Sequence, residues 1–90
     1  MATLILPAQF ASLAGGRQQL AIAAPTLRGL FDELHRRYPM VRSQLFDTAG
    51  RLRQFVGLFV DDRQYHLADG LEVDIGNDSQ VLVLLAVAGG

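Results

Sequence analysis

The C-terminal residues, 85–90, form the part of the sequence best suited to chemistry. They read Leu-Ala-Val-Ala-Gly-Gly, so small residues follow an apolar, strand-like run and the chain stops at two glycines. Because glycine has no Cβ, Gly89 and Gly90 can pass through a channel that is too narrow for side chains. A carboxylate is a poor electrophile until it is converted to an anhydride or a thioester, and adenylation with ATP achieves this. The pattern therefore predicts a terminal carboxylate that the active site of another protein can reach.

Composition and charge argue against several other classes of function. The chain has 90 residues, of which 50% are hydrophobic and 19% charged, with a net charge of −1. These values predict one small folded domain and argue against nucleic-acid binding by phosphate neutralisation. No run approaches the ~20 apolar residues of a membrane span. The first basic residue is Arg17, so a positive leader segment is not expected and the predicted location is cytoplasmic.

A β-sheet is predicted to hold the C-terminal residues in place. Apolar or alternating runs predict strands over residues 3–6, 17–23, 55–60, 64–66, 72–75 and 81–85. The last run is apolar throughout, which favours a central strand that is buried on both faces. Turn residues at Gly15-Gly16, Asp61-Asp62 and Asp69-Gly70 separate several of the strands.

One main helix is predicted between the two groups of strands. Thr26 is a good N-cap, and Pro39 ends the helix. An apolar stripe at helical spacing consists of Leu27, Leu30, Phe31, Leu34 and Tyr38. The spacing also predicts the ion pairs Asp32–Arg36 and Glu33–Arg37. Residues 40–46 are expected to add one or two helical turns, and the whole order predicts an α+β domain.

With this strand order and this tail, the chain resembles the ubiquitin-like β-grasp sulfur carriers (ThiS/MoaD family), which include the small subunit of molybdopterin synthase. The likeness is greater to the thiocarboxylate-forming carriers of cysteine biosynthesis, over residues 30–34, 38–39, 47–56 and 60–62. The resemblance implies a β-grasp fold, with a mixed sheet of four to five strands packed on one main helix. It also implies a domain over residues 1–85 and a flexible tail over residues 86–90.

The resemblance implies a function for the tail. An E1-like enzyme adenylates the Gly90 carboxylate, and a sulfur source converts the product to a thiocarboxylate. That group then donates sulfur to an acceptor held by a second enzyme, a synthase, on a route to cysteine, molybdopterin or a sulfur-containing metabolite. The residues inserted into the partner are Ala86, Val87, Ala88 and Gly89. The carrier itself is expected not to be an enzyme and to bind no cofactor, since ATP is used by the activating partner. Many relatives have proline where this chain has Leu85.

A partner surface is predicted beside the tail. If residues 55–60 alternate, Phe55 and Phe59 lie opposite the core-facing side chains of the same strand. The pattern does not assign the faces of Leu82 and Leu84; one of them is expected to extend the patch, and Leu84 is taken as that residue. The alternative is that one of these phenylalanines packs under residues 40–46. His35 and His66 lack metal-ligand spacing, so no metal site is predicted.

Two other functions remain open at this stage. Gly90 could form an isopeptide bond with lysines of target proteins, because the same tail serves both chemistries. Alternatively, the chain could be a binding module with an inert terminus. The sequence has no cysteine and no lysine, all eight basic residues being arginine. A carrier of this composition has no internal thiol that could intercept an activated Gly90.

Overall fold

The computed structural model describes residues 1–65 and 72–85, which form a mixed five-stranded sheet and three helices. The strands are β1 (Ala2–Ile5), β2 (Gln19–Ile22), β3 (Val56–Val60), β4 (Arg63–Tyr65) and β5 (Gln80–Leu85). The helices are a 3-10 helix over Ala8–Ala14, α1 (Leu27–Arg37) and α2 (Pro39–Leu45). The predictions for His66, for the turn at Asp69-Gly70 and for residues 86–90 lie outside the described residues.

The strand order β2-β1-β5-β3-β4 places the last strand in the centre of the sheet. β5 runs parallel to β1 and antiparallel to β3, and the outer pairs β1–β2 and β3–β4 are antiparallel hairpins. The predicted α+β architecture, a four- to five-stranded mixed sheet on one main helix, is confirmed. β5 is therefore held on both sides by neighbouring strands.

The apolar stripe of α1 forms the centre of the core. Leu27, Leu30, Phe31 and Leu34 are at most 1% exposed. The predicted cap is present, since the Thr26 hydroxyl oxygen accepts a hydrogen bond from the backbone N–H of the third helical residue at 3.1 Å.

α2 closes the same core from the side. Val41 and Leu45 are fully buried, as predicted for residues 40–46. Phe46, directly after the helix, packs edge-on against Phe31 with ring centroids 5.1 Å apart. α1 and α2 therefore cover one face of the sheet, and the opposite face is open.

The predicted tight turn between β3 and β4 is confirmed. Asp61 and Asp62 have φ angles of 49° and 71°, which is the backbone of a two-residue type I′ hairpin. Asp61 Oδ1 also accepts a hydrogen bond from the Gln80 N–H at 2.9 Å. This carboxylate therefore ties the turn to the start of β5.

Four details differ from the sequence predictions. β5 is not buried on both faces, because Leu84 is 45% exposed. Residues 72–75 form no strand, and Asp74 only makes an isolated bridge to Thr26. Arg36 pairs with Glu33 rather than with Asp32, so Glu33 contacts Arg36 and Arg37 together. The 3-10 helix after β1 was not predicted.

Candidate functional site: the end of β5 and the outer face of the sheet

The predicted tail follows the end of the central strand. Leu85 is the last residue of β5 and lies opposite Val56 of β3. The predicted site residues Ala86, Val87, Ala88, Gly89 and Gly90 lie outside the described residues, so their roles stay predictions. Five residues can extend about 18 Å at most. Any group that reacts with the Gly90 carboxylate must therefore lie within that distance of Leu85.

The hydrogen-bond pattern between β3 and β5 determines where the Leu85 amide points. The Asp61 N–H donates to the Gln80 carbonyl at 3.0 Å, which makes these two residues a hydrogen-bonded pair. Bonded and non-bonded pairs alternate along an antiparallel ladder. Gly57 and Leu84 therefore form a bonded pair, whereas Leu85 and its partner on β3 do not. The Leu85 N–H consequently points away from β3.

The side of β5 that the Leu85 amide faces is the side of β1. The pairing between those strands ends at Ile5 and Leu82, three residues before Leu85. The Leu85 N–H therefore points away from β3 and also lies past the end of the described β1–β5 pairing. A residue without an N–H at this position removes no hydrogen bond from the β3–β5 ladder.

An apolar patch covers the face of the sheet that points away from the helices. We define the outer patch as Ile5, Phe55, Phe59, Leu82 and Leu84. Phe55 is 43% and Leu84 45% exposed, while Phe59 is half-buried. The exposure of Phe55 shows that it does not pack under α2. Phe59 and Leu84 therefore share an accessible face, and Phe55 is exposed in the turn directly before β3. The role of all three in binding stays a prediction.

A shallow depression lies at the end of the patch that is remote from the tail. Its volume is about 220 Å³, and its lining consists of Ile5, Phe59, Asp61, Asp62, Gln80 and Leu82. The floor is apolar, and the two carboxylates stand at the hairpin turn. Asp61 Oδ1 accepts the hydrogen bond from the Gln80 N–H, so this carboxylate has a structural role that ties the turn to β5.

Basic side chains lie near the opposite end, before β3. The Arg53 guanidinium donates to the Ser43 carbonyl at 3.2 Å, and the backbone N–H of Arg53 donates to the Leu45 carbonyl at 2.9 Å. Asp47 accepts hydrogen bonds from the backbone N–H groups of Arg51 and Ala49, each at 2.9 Å. The Arg51 N–H, above all, lowers the pKa of the Asp47 carboxyl, so this carboxylate is ionised at neutral pH. The loop that leads into β3 is thus held to α2 by polar contacts.

Other chemistry finds little support in residues 1–65 and 72–85. No three potential metal ligands among them lie close enough together to hold an ion. His35 is exposed on α1. None of the three helices in this part of the chain has the length and apolar character that a membrane crossing requires.

Sequence reasoning missed part of the outer patch. Every residue from Val81 to Leu85 is apolar, so the pattern in β5 carries no signal about which side chains face outward. Pairing with β3 supplies that information, because Leu82 lies opposite Phe59. Ile5 joins the patch through its pairing with Leu82.

Comparison with known proteins identifies relatives over the full length. The chain is 29% identical to the sulfur carrier protein CysO of Mycobacterium tuberculosis, over 98% of this chain and 97% of CysO. The crystal structure of that protein matches with a TM-score of 0.86 and 26% identity, over 97% of this chain and 100% of the other. No protein-family model matches the chain.

Two further structures share the fold. A chain of the Amycolatopsis orientalis BexX/CysO complex has a TM-score of 0.85 at 23% identity, with 100% of both chains covered. Small archaeal modifier protein 1 of Methanosarcina acetivorans has a TM-score of 0.80 at 18% identity, covering 99% of this chain and 95% of that one. The chain is homologous to the sulfur carrier protein CysO and has the ubiquitin-like β-grasp fold.

Proposed function

We propose that this chain is a sulfur carrier of cysteine biosynthesis, which carries sulfur as a thiocarboxylate on Gly90. The observation that carries the proposal is homology to CysO along the whole chain, combined with a sequence that runs from the central strand into Ala-Val-Ala-Gly-Gly. In this role the protein is a substrate of other enzymes rather than an enzyme. Its own contribution is to present the terminus and to be recognised.

The proposed loading reaction has two steps. An E1-like enzyme joins the Gly90 carboxylate to the AMP part of ATP, and pyrophosphate leaves. Sulfide then attacks the acyl carbon; alternatively a persulfide attacks through its outer sulfur, and a thiol reduces the S–S bond of the resulting acyl disulfide and so releases the thiocarboxylate. AMP leaves with one of the original carboxylate oxygens, and the C–S bond replaces a C–O bond. ATP is consumed by the partner, so the carrier requires no nucleotide site of its own.

The proposed tail insertion depends on residue size. Ala86, Val87, Ala88 and Gly89 present small side chains or none, so residues 86–90 can enter a narrow channel in extended form. Since Leu85 starts the tail at a fixed point of the sheet, the channel must open within about 18 Å of that residue.

The outer patch is the proposed docking surface. Phe55 and Leu84 are among the few large apolar side chains that are exposed in the described residues, and Phe59 lines the depression. Leu84 directly precedes Leu85, so a protein bound to the patch is also adjacent to the tail. The same surface suits the sulfur-accepting synthase, which must reach the sulfur atom on the same terminus.

Intact-mass analysis tests the proposal. The purified chain is incubated with the E1-like adenylating enzyme of its host, ATP and a sulfide donor. The expected product has one oxygen replaced by sulfur, and a chain lacking Gly90 gives no such product. A wild-type chain that stays unmodified, under conditions that convert a known carrier, contradicts the proposal.

Two further assays distinguish the two other functions. If Gly90 modifies proteins, high-mass conjugates that depend on Gly89 and Gly90 appear when a lysate of the host is added. If the terminus is inert, deletion of Gly90 leaves growth without cysteine unchanged. Either result in the absence of a thiocarboxylate contradicts sulfur carriage.

A further inference from the structure

Gly57 lies in the middle of the outer patch, in the interior of β3. It pairs with Leu84 of the central strand, with Val56 before it and Leu58 after it in β3. Glycine inside a strand destabilises the fold relative to alanine, because it loses more backbone entropy on folding and packs no side chain. A glycine at this position therefore calls for a reason in the fold or in function.

The fold does not require glycine here. The positive-φ glycines of the described residues are Gly15, Gly16 and Gly50, so Gly57 has a backbone that any residue adopts. A Cβ built on Gly57 would lie 3.9 Å from Leu84 Cβ, Leu84 O and Phe59 Cε1. These are ordinary van der Waals distances. The Cβ of an alanine at position 57 is thus sterically acceptable to the folded chain.

What the glycine provides is a gap in the outer patch. Its nearest walls are the Leu84 side chain on the central strand and the Phe59 ring two residues further along β3. The neighbouring polar atom, the Leu84 carbonyl oxygen, already accepts within the ladder because Gly57 and Leu84 are a bonded pair. A charged group placed in this gap would lose hydration without gaining a hydrogen bond there. The gap therefore suits an apolar side chain.

We propose that Gly57 is a specificity-determining residue, whose gap receives an apolar side chain of the E1-like adenylating enzyme. This inference rests on the proposed function and adds a residue and a contact to it. Leu84, which forms one wall, is separated from Gly90 by only six positions. Since the tail can extend about 18 Å beyond Leu85, an enzyme that acts on Gly90 lies close to this gap while it does so.

Two substitutions fill the gap to different extents. Gly57→Ala adds one carbon and Gly57→Val adds three, without requiring a positive φ. Ala21→Val is the matched control, because Ala21 is exposed on the same face of the sheet but belongs to the edge strand β2. Thermal unfolding is measured first, and both Gly57 variants are expected to melt at or above the temperature of the wild-type chain.

The functional readout is ATP–pyrophosphate exchange by the host's adenylating enzyme, with the carrier below half-saturation. Gly57→Val is expected to lower the exchange rate at least tenfold, Gly57→Ala less, and Ala21→Val less than twofold. Raising the carrier concentration should restore most of the rate. The substitution is expected to weaken binding equally in the ground state and in the transition state, so it raises KM and leaves kcat unchanged.

Three results overturn the inference. The first is exchange within twofold of wild type for Gly57→Val. The second is an equal loss for Ala21→Val, which would make any bulk on this face harmful. The third is a melting temperature of Gly57→Ala below that of the wild type, which would give the glycine a role in the fold. If the wild-type chain itself supports no exchange, the proposed function fails. The three results above contradict only the role of Gly57, so the two failures are distinguishable.

Discussion

Replacing Leu85 with proline tests how the tail leaves the sheet. The alternation of the ladder places the Leu85 N–H on the side away from β3, so Leu85→Pro breaks no hydrogen bond between the central strands. The preceding residue already has the extended backbone that proline favours. The substitution gives up some apolar contact of a half-buried leucine, about 1 kcal/mol. It regains about 0.4–1 kcal/mol by restricting the unfolded chain.

Proline at the neighbouring position, Leu84, is expected to destabilise the fold. Leu84 pairs with Gly57 in the bonded register, so Leu84→Pro removes an N–H donor and leaves a carbonyl of β3 without its partner. An unpaired buried carbonyl costs about 1–3 kcal/mol, and the ring also crowds β3. The side chain of Leu84 is largely outside the core, so its loss adds little.

Thermal and urea unfolding, followed by circular dichroism, compare the two variants. Leu85→Pro should change the free energy of unfolding by less than about 1 kcal/mol, which is a shift in Tm below about 8 °C. Leu84→Pro should lower it by at least about 2 kcal/mol, or roughly 8–16 °C. Leu85→Ala serves as the control for the lost leucine side chain. Equal destabilisation by the two prolines would refute the register argument, and Leu85→Pro should also keep its conversion to the thiocarboxylate.

Three further expectations concern the helix and the outer patch. Thr26→Ala removes the N-cap hydrogen bond of α1 and should lower stability by about 1 kcal/mol, measured by urea unfolding. Hydrogen bonds from two arginines lower the pKa of Glu33 from 4.5 to about 2, so its stabilisation is complete above pH 4.5 and disappears as the pH falls towards 2. The difference in urea stability between wild type and Glu33→Gln should therefore be constant from pH 5 to 7 and shrink in acid; a difference that grows in acid contradicts this. Leu84→Ser should weaken adenylation at low carrier concentration while leaving Tm within a few degrees, whereas Ala21→Ser should change neither.

The sequence predicts the architecture well where periodicity is unambiguous. The stripe of α1, the Thr26 cap and the Asp61-Asp62 turn each depend on local spacing or local backbone chemistry, and all three are present. The alternation around Phe55 also assigns the faces of β3 correctly. Such features are encoded within a few neighbouring residues, so one sequence suffices to find them.

The remaining features depend on contacts between distant residues. The faces of β5 cannot be read from five consecutive apolar residues, and only the pairing with β3 exposes Leu84. Arg36 stands three residues from Glu33 and four from Asp32, and spacing alone does not choose between the two carboxylates. The role of Gly57 likewise emerges only when Leu84 and Phe59 are found beside it.

In the proposed function, the central position of β5 links recognition of the domain to chemistry at Gly90. An edge strand can fray, whereas β5 is paired with β1 as far as Leu82 and with β3 as far as Leu85, so the end of the strand is held next to the outer patch. Once a partner binds the patch, Gly90 is tethered by five residues to a point on the same surface. A short tether of this kind corresponds to an effective concentration on the order of millimolar. The partner can therefore bind the tail itself weakly, and release the loaded or spent terminus quickly, while specificity stays with the sheet.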